Sequence, residues 1–206
     1  KNVAKILRNF SASKIIVVVS AMAKTTNKLE ELVNSYFYCK DNLKEIYDEL
    51  KKFHFDITKE LFQENKNHLV FNDIENVFVE LQWAIEEEPY SSYSFHYDQI
   101  VSIGEILSSK IISHYLNHVG ITCSWLDARG TIQTDDTYRE GKVNYELSQA
   151  LCDTQFIPLL KQKNILLTQG FIGGTQENYT TTLGREGSDY SGALLAYLCI
   201  TFLYLA

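Results

Sequence analysis

The run Asn164-Ile165-Leu166-Leu167-Thr168-Gln169 passes without a break into Gly170-Phe171-Ile172-Gly173-Gly174. A short apolar run with no alternation of polar residues is the pattern of a strand covered on both faces, as in a parallel sheet. Glycines directly after such a strand permit close backbone approach to a ligand, or simply a tight turn. Two further stretches read the same way. Lys14 to Ser20, KIIVVVS, is β-branched and followed by small polar residues from Ala21 to Asn27, and Ile121 to Asp127, ITCSWLD, is another strand candidate.

Helical spacing fills the intervals between these strands. A helix is expected from about Lys28, with Leu29, Leu32 and Val33 on one face. Asp41 to Glu88 continues largely helical, through Leu43, Ile46, Tyr47 and Leu50 and then Ile74, Val77, Phe78, Leu81 and Ile85, with Trp83 on the opposite face. Glu86 to Ser94 reads as a loop. A second unit starts near Asp98, with helices over Ile103 to Leu116, over Val143 to Leu160 with an interruption near Pro158, and after Ser188. Strands alternating with helices and glycine-bearing turns give an α/β layered fold around a mostly parallel sheet. One domain with a helical insertion over about residues 28–97 is expected.

The bulk properties narrow the function. The chain has 206 residues, 45% of them hydrophobic, which suffices for a sizeable core. A net charge of -7 argues against a counterion-release mode of binding nucleic acid. Cys39, Cys123, Cys152 and Cys199 form no CxxC pair, which argues for reduced thiols in a cytoplasmic protein. The apolar end, Ala193 to Ala206, falls short of the roughly 20 residues a spanning helix needs and reads as buried core. No membrane partner is expected. The abrupt ends suggest a piece of a longer protein. His114 and His118 stand one turn apart but lack further ligands, so surface placement is expected and no metal site is assigned. Neither a GxxxxGK(S/T) loop nor a GxSxG elbow occurs.

Four segments carry chemistry. Thr180 to Ala193, TTTLGREGSDYSGA, places Gly184 and Gly187 before a helix that Ser188 or Asp189 is suited to cap. A glycine-rich entry to a helix presents N–H groups and a positive dipole end, and Arg185 adds a planar cation suited to carboxylate or phosphate. Asp189 could hold a cation or orient an ammonium group. Ser20 to Asn27, SAMAKTTN, offers hydroxyls and Lys24 at a strand end. Ser102 to Glu105, SIGE, puts a carboxylate in a first helical turn, and Gln169 to Gly174 adds glycines. Each also has a plain reading as a cap or a tight turn. Their common setting, at strand ends and helix starts of one α/β pattern, suits a small zwitterion beside a phosphate donor.

In this order the segments resemble the aspartate kinases of the amino-acid kinase family. The family pattern runs S-A-x-x-x-x-T-N, a helical insertion, S-x-G-E, Q-G-F-I-G, and T-T-L-G-R-G-G-S-D-Y-S-A. The counterparts here are Ser20-Ala21 to Thr26-Asn27, Ser102 to Glu105, Gln169 to Gly173, and Thr181 to Gly192. The resemblance implies a three-layer αβα sandwich and transfer of the ATP γ-phosphate to the β-carboxylate of L-aspartate, with Mg²⁺. It implies that Thr26, Glu105, Arg185, Ser188 and Asp189 bind substrate, with Glu105 at its ammonium and Arg185 at its α-carboxylate. Arg185 and Asp189 would be the catalytic pair, and Ser20, Phe171, Gly173 and Gly174 would face the nucleotide. It also implies a place at the start of lysine, threonine and methionine biosynthesis, allosteric control, and a homo-oligomer when full length.

Glu186 stands where the family has glycine, and Gly192 where it has alanine. The family's K-F-G-G-T-S and W-T-D-V-D-G segments and its ACT domains have no counterpart in these residues, so this piece alone is expected to be inactive. Two other readings stay open: a kinase for another acid such as glutamate, and a non-catalytic ligand sensor whose site Glu186 has altered.

Overall fold

A computed structural model describes residues 1–10, 13–63 and 68–199. The elements in chain order are α1 (Asn2–Arg8), β1 (Ile15–Val19), α2 (Thr25–Phe37), α3 (Leu43–Leu61), α4 (Val70–Glu86), α5 (Tyr93–Val101), α6 (Ile103–His118), β2 (Cys123–Trp125), α7 (Tyr145–Gln162), β3 (Ile165–Gln169), β4 (Ile172–Gly174), β5 (Thr180–Thr182) and α8 (Gly187–Leu198). A single 3-10 turn, Ala128–Gly130, follows β2.

β3 lies between β1 and β2, and both pairings are parallel, with Ile15 and Cys123 each opposite Ile165. Every residue of β3 is buried, as its unbroken apolar run requires. Ile165 and Leu167 point to the face covered by Leu116 of α6 and by Ala4 and Leu7 of α1. Leu166 points to the other face, among Cys152, Phe156 and Leu160 of α7 and Leu194, Leu195 and Leu198 of α8. The result is the expected α/β sandwich of three layers, αβα. β1 departs from its reading as a strand covered on both faces. It is half-buried along its whole length, because it is an edge strand of this sheet.

The stretch between β1 and α6 is largely helical, as its spacing predicts. α2 packs on α3 and α5, and α4 packs on α6. α6 is therefore enclosed, with all of Ile103 to Ser109 buried between the sheet and helices α2 to α5. Trp83 is exposed on the outer face of α4.

Four local expectations change. α2 begins at Thr25, so Thr25 and Thr26 lie in its first turn. α7 continues through Pro158 to Gln162. Only one more turn follows the proline, and buried Phe156 and Leu160 anchor it. The Gly-rich stretch after β3 is an antiparallel hairpin, with Ile172 opposite Thr182. His118 is exposed, but His114 is half-buried and hydrogen-bonds Asp73 of α4 at 2.7 Å. Of the apolar end expected to be buried, Leu194, Leu195, Leu198 and Cys199 are, but Ala193, Ala196 and Tyr197 are exposed on the outer face of α8, and residues 200–206 lie outside the described residues.

Candidate active site

Parallel strands bring their carboxyl ends to one edge of a sheet, where the following loops form a crevice. Ser20 leaves β1 there, and Gly170 and Phe171 leave β3. The start of α8 is pulled against both. Ser20 Oγ donates to Ser188 Oγ at 2.8 Å, and the Phe171 N–H donates to Ser191 Oγ at 2.9 Å. A Cβ on Gly170 would stand 2.8 Å from Ser188 Cα, and one on Gly187 would stand 2.7 Å from the Phe171 ring. These two glycines are what let the helix start close on the strand ends. Gly170→Ala is expected to cost about 1–3 kcal/mol in a denaturant titration, because backbone must move to admit the methyl group. It should also disturb Ser188.

The entry to α8 differs from the capping expected of Ser188 or Asp189. Gly187 opens the helix, and Glu186 occupies the cap position in the left-handed region at φ 57° with no side-chain cap bond. Ser188 is thereby free to meet Ser20, and Asp189 lies in the first turn with its side chain exposed. Glycine adopts a left-handed conformation far more cheaply than glutamate. Glu186→Gly is expected to stabilise the fold by about 0.5–1 kcal/mol in thermal or chemical unfolding. It also removes an acid beside Arg185, so anionic ligands should bind more tightly.

Glu105 comes from the first turn of α6, which approaches the loop after β1 closely enough that a Cβ on Gly104 would stand 3.0 Å from Ala21 Cβ. Its side chain is buried, at 2% exposure. Oε1 accepts the Ala21 N–H at 3.2 Å, and Oε2 has no partner among the described residues. Burial raises its pKa from 4.5 to about 7, against the opposing pull of that backbone hydrogen bond. A buried carboxylate with one unsatisfied oxygen calls for a cationic donor.

Glu105 lines a cavity of about 920 Å³ whose lining also includes Ser20, Thr26, Phe171, Arg185, Ser188 and Asp189. Seven of the sequence-derived candidates are thus brought together. Gly173 and Gly174 are not among the lining residues. They lie buried in β4, where a Cβ on Gly174 would come within 2.5 Å of the Arg129 carbonyl and one on Gly173 within 2.8 Å of the Ile132 carbonyl. Both glycines pack against the turn after β2.

The sequence reading missed one whole wall of the cavity, made by Tyr97 of α5 and by Thr137 to Glu140. The stretch TDDTYREG carries no motif. Its place in the chain was the available signal, since it follows the parallel strand β2 and so returns along the same side of the sheet. Asp98 ties this wall in place. Fully buried, it accepts the Arg139 N–H at 2.8 Å, the Thr182 N–H at 2.9 Å and the Thr182 hydroxyl at 2.7 Å. Burial lifts its pKa to about 6, and those hydrogen bonds oppose the rise.

Comparison with known proteins agrees with this fold. The sequence pattern of the amino acid kinase family matches residues 1–199. A bifunctional aspartokinase/homoserine dehydrogenase 1 of Zea mays chloroplasts is 32% identical over 209 residues, covering 96% of this chain and 22% of that protein. Lysine-sensitive aspartokinase 3 of Escherichia coli is 30% identical over 181 residues, covering 88% of this chain and 39% of that protein. Aspartokinase III of Escherichia coli in complex with aspartate and ADP superposes with a TM-score of 0.84 at 28% identity, over 95% of this chain and 42% of that one. The same enzyme in complex with lysine and aspartate gives 0.85. The chain thus spans less than half the length of these relatives. No helix among the described residues is long and apolar enough to cross a membrane. With its parallel sheet, its crevice at the strand ends and a family match over nearly its whole length, the chain belongs to the amino acid kinase family.

Proposed function

We propose that this chain is part of the catalytic domain of an aspartate kinase, and that the full gene product transfers the γ-phosphate of ATP to the β-carboxylate of L-aspartate. The observation that carries the reading is buried Glu105, its Oε2 without a partner among the described residues, in the lining of the same cavity as Arg185. A carboxylate and a guanidinium in one cavity match the ammonium and carboxylate of an amino acid. In this reading Glu105 takes the ammonium, Arg185 takes the α-carboxylate, and Thr26, Ser188 and Asp189 fix the side chain. Ser20 and Phe171 face the phosphates.

The acceptor is the substrate's own carboxylate, ionised at neutral pH, so no protein base is needed. One carboxylate oxygen bonds to the γ-phosphorus while the bond from that phosphorus to the bridging oxygen of ADP breaks. The product pair is 4-phospho-L-aspartate and ADP. The residues contribute position and charge. Among the described residues no cluster of three His, Cys, Asp or Glu could hold a metal. Mg²⁺ would be carried in on the nucleotide, since Mg²⁺ at such sites is held largely by phosphates and water. When bound it would offset phosphate charge.

The reading is tested by ADP release from the full gene product with a panel of amino acids. Aspartate-dependent release is expected. Release with glutamate instead would move the assignment to another acid, and binding of aspartate without any release would favour a ligand sensor.

A further inference from the structure

The cavity holds four acids, Glu105, Glu140, Glu186 and Asp189, against two cations, Arg139 and Arg185. An anionic substrate entering such a site gains from every cation within reach. Arg185 can satisfy one carboxylate in the forked mode. A dicarboxylic amino acid brings a second.

Arg139 is placed for it. Its backbone is left-handed, at φ 72°, where glycine would be free of strain and arginine is not. Strained non-glycine residues of this kind concentrate at ligand sites. The strained turn is held by the Arg139 N–H donating to buried Asp98 at 2.8 Å. The guanidinium carbon lies 4.4 Å from the centre of the Tyr97 ring, itself a lining residue with 8% exposure. Stacking on a fixed ring reduces the freedom the guanidinium would lose on binding. Arg139 forms no ion pair among the described residues, so its charge is available.

We propose that Arg139 is a second carboxylate-binding residue of the amino-acid pocket, with Tyr97 and Asp98 as the residues that position it. The inference rests on the amino-acid phosphotransferase reading above and adds a specificity-determining contact to it. A pocket lined by two cations selects an amino acid with two carboxylates over one with a single carboxylate.

The test is steady-state kinetics of Arg139→Gly in the full gene product. Glycine suits the backbone and keeps the N–H that Asp98 accepts, so the variant should fold with an unchanged or higher melting temperature. The KM for aspartate is expected to rise about tenfold or more while the KM for MgATP stays within about twofold. Tyr97→Leu should raise the aspartate KM in the same direction, Tyr97→Phe should restore it, and neither should matter in the Arg139→Gly background. An aspartate KM unchanged in Arg139→Gly, or a rise confined to MgATP, would overturn the inference and leave the kinase reading standing. A wild-type protein that phosphorylates no amino acid would overturn both.

Discussion

Glu105→Gln in the full gene product is expected to raise the KM for the amino-acid substrate about a hundredfold and, near pH 8, to stabilise the fold by about 1–2 kcal/mol. The two effects have one cause. Glu105 is buried with Oε2 unpartnered among the described residues, and burial lifts its pKa from 4.5 to about 7. Between those values the folded chain binds a proton that the unfolded chain has released, so the group's contribution to stability falls as pH rises. Above pH 7 the ionised side chain costs the empty protein about 3 kcal/mol, from the 1.36 kcal/mol that each pKa unit represents. Glutamine removes that charge at every pH but leaves an imperfectly paired amide, so only part of the cost is recovered. A substrate ammonium favours the ionised form, so wild-type affinity should weaken as pH falls through 7, where proton and ammonium compete. The variant should lose that dependence. Thermal unfolding at about pH 5.5 and pH 8 separates the stability term, and KM measured across the same range separates the binding term. A variant less stable at both pH values with an unchanged KM would make Glu105 a structural residue only.

Arg185→Met should lower kcat/KM for the amino acid by about a hundredfold or more, the scale of losing a charge-assisted, forked contact to a carboxylate. Its stability signature is the opposite of that of Glu105. Arg185 is exposed in the free chain and forms no ion pair among the described residues. Its replacement should therefore change unfolding free energy by less than about 0.5 kcal/mol. Arg185→Lys keeps the charge but loses the planar fork, and an intermediate defect is expected. Equal activity of all three forms would remove Arg185 from the site. The contrast is informative because one residue is built into the core at a cost and the other is held out in the open cavity.

The central strand was legible because β3 is covered on both faces and must be apolar throughout. β1 carries nearly the same pattern yet is half-buried, since a β-branched run does not say whether its strand is central or at an edge. The hairpin of β4 and β5 was hidden, because three-residue strands of glycine and threonine leave no periodicity to read. Motif singled out Glu105 and Arg185 as candidates, and the fold places both in the lining of one cavity. What motif could not give was burial, and burial makes Glu105 chemically unusual. Gly173 and Gly174 show the converse. A glycine marks a close approach, but only the fold tells whether a ligand or the Arg129 carbonyl approaches. Arg139 joined the site through Asp98 and Thr182, which lie 41 residues before it and 84 residues beyond Asp98 along the chain. No local reading spans such separations.

Trapping the product with hydroxylamine tests the central claim most directly. Incubated with L-aspartate, MgATP and hydroxylamine, the full gene product is expected to yield aspartyl hydroxamate, and Arg185→Met and Glu105→Gln should yield far less at low aspartate. Hydroxamate forms from an acyl phosphate, so the assay reports the bond that the reaction makes. No hydroxamate with aspartate or any other amino acid, at any aspartate concentration, would contradict the account.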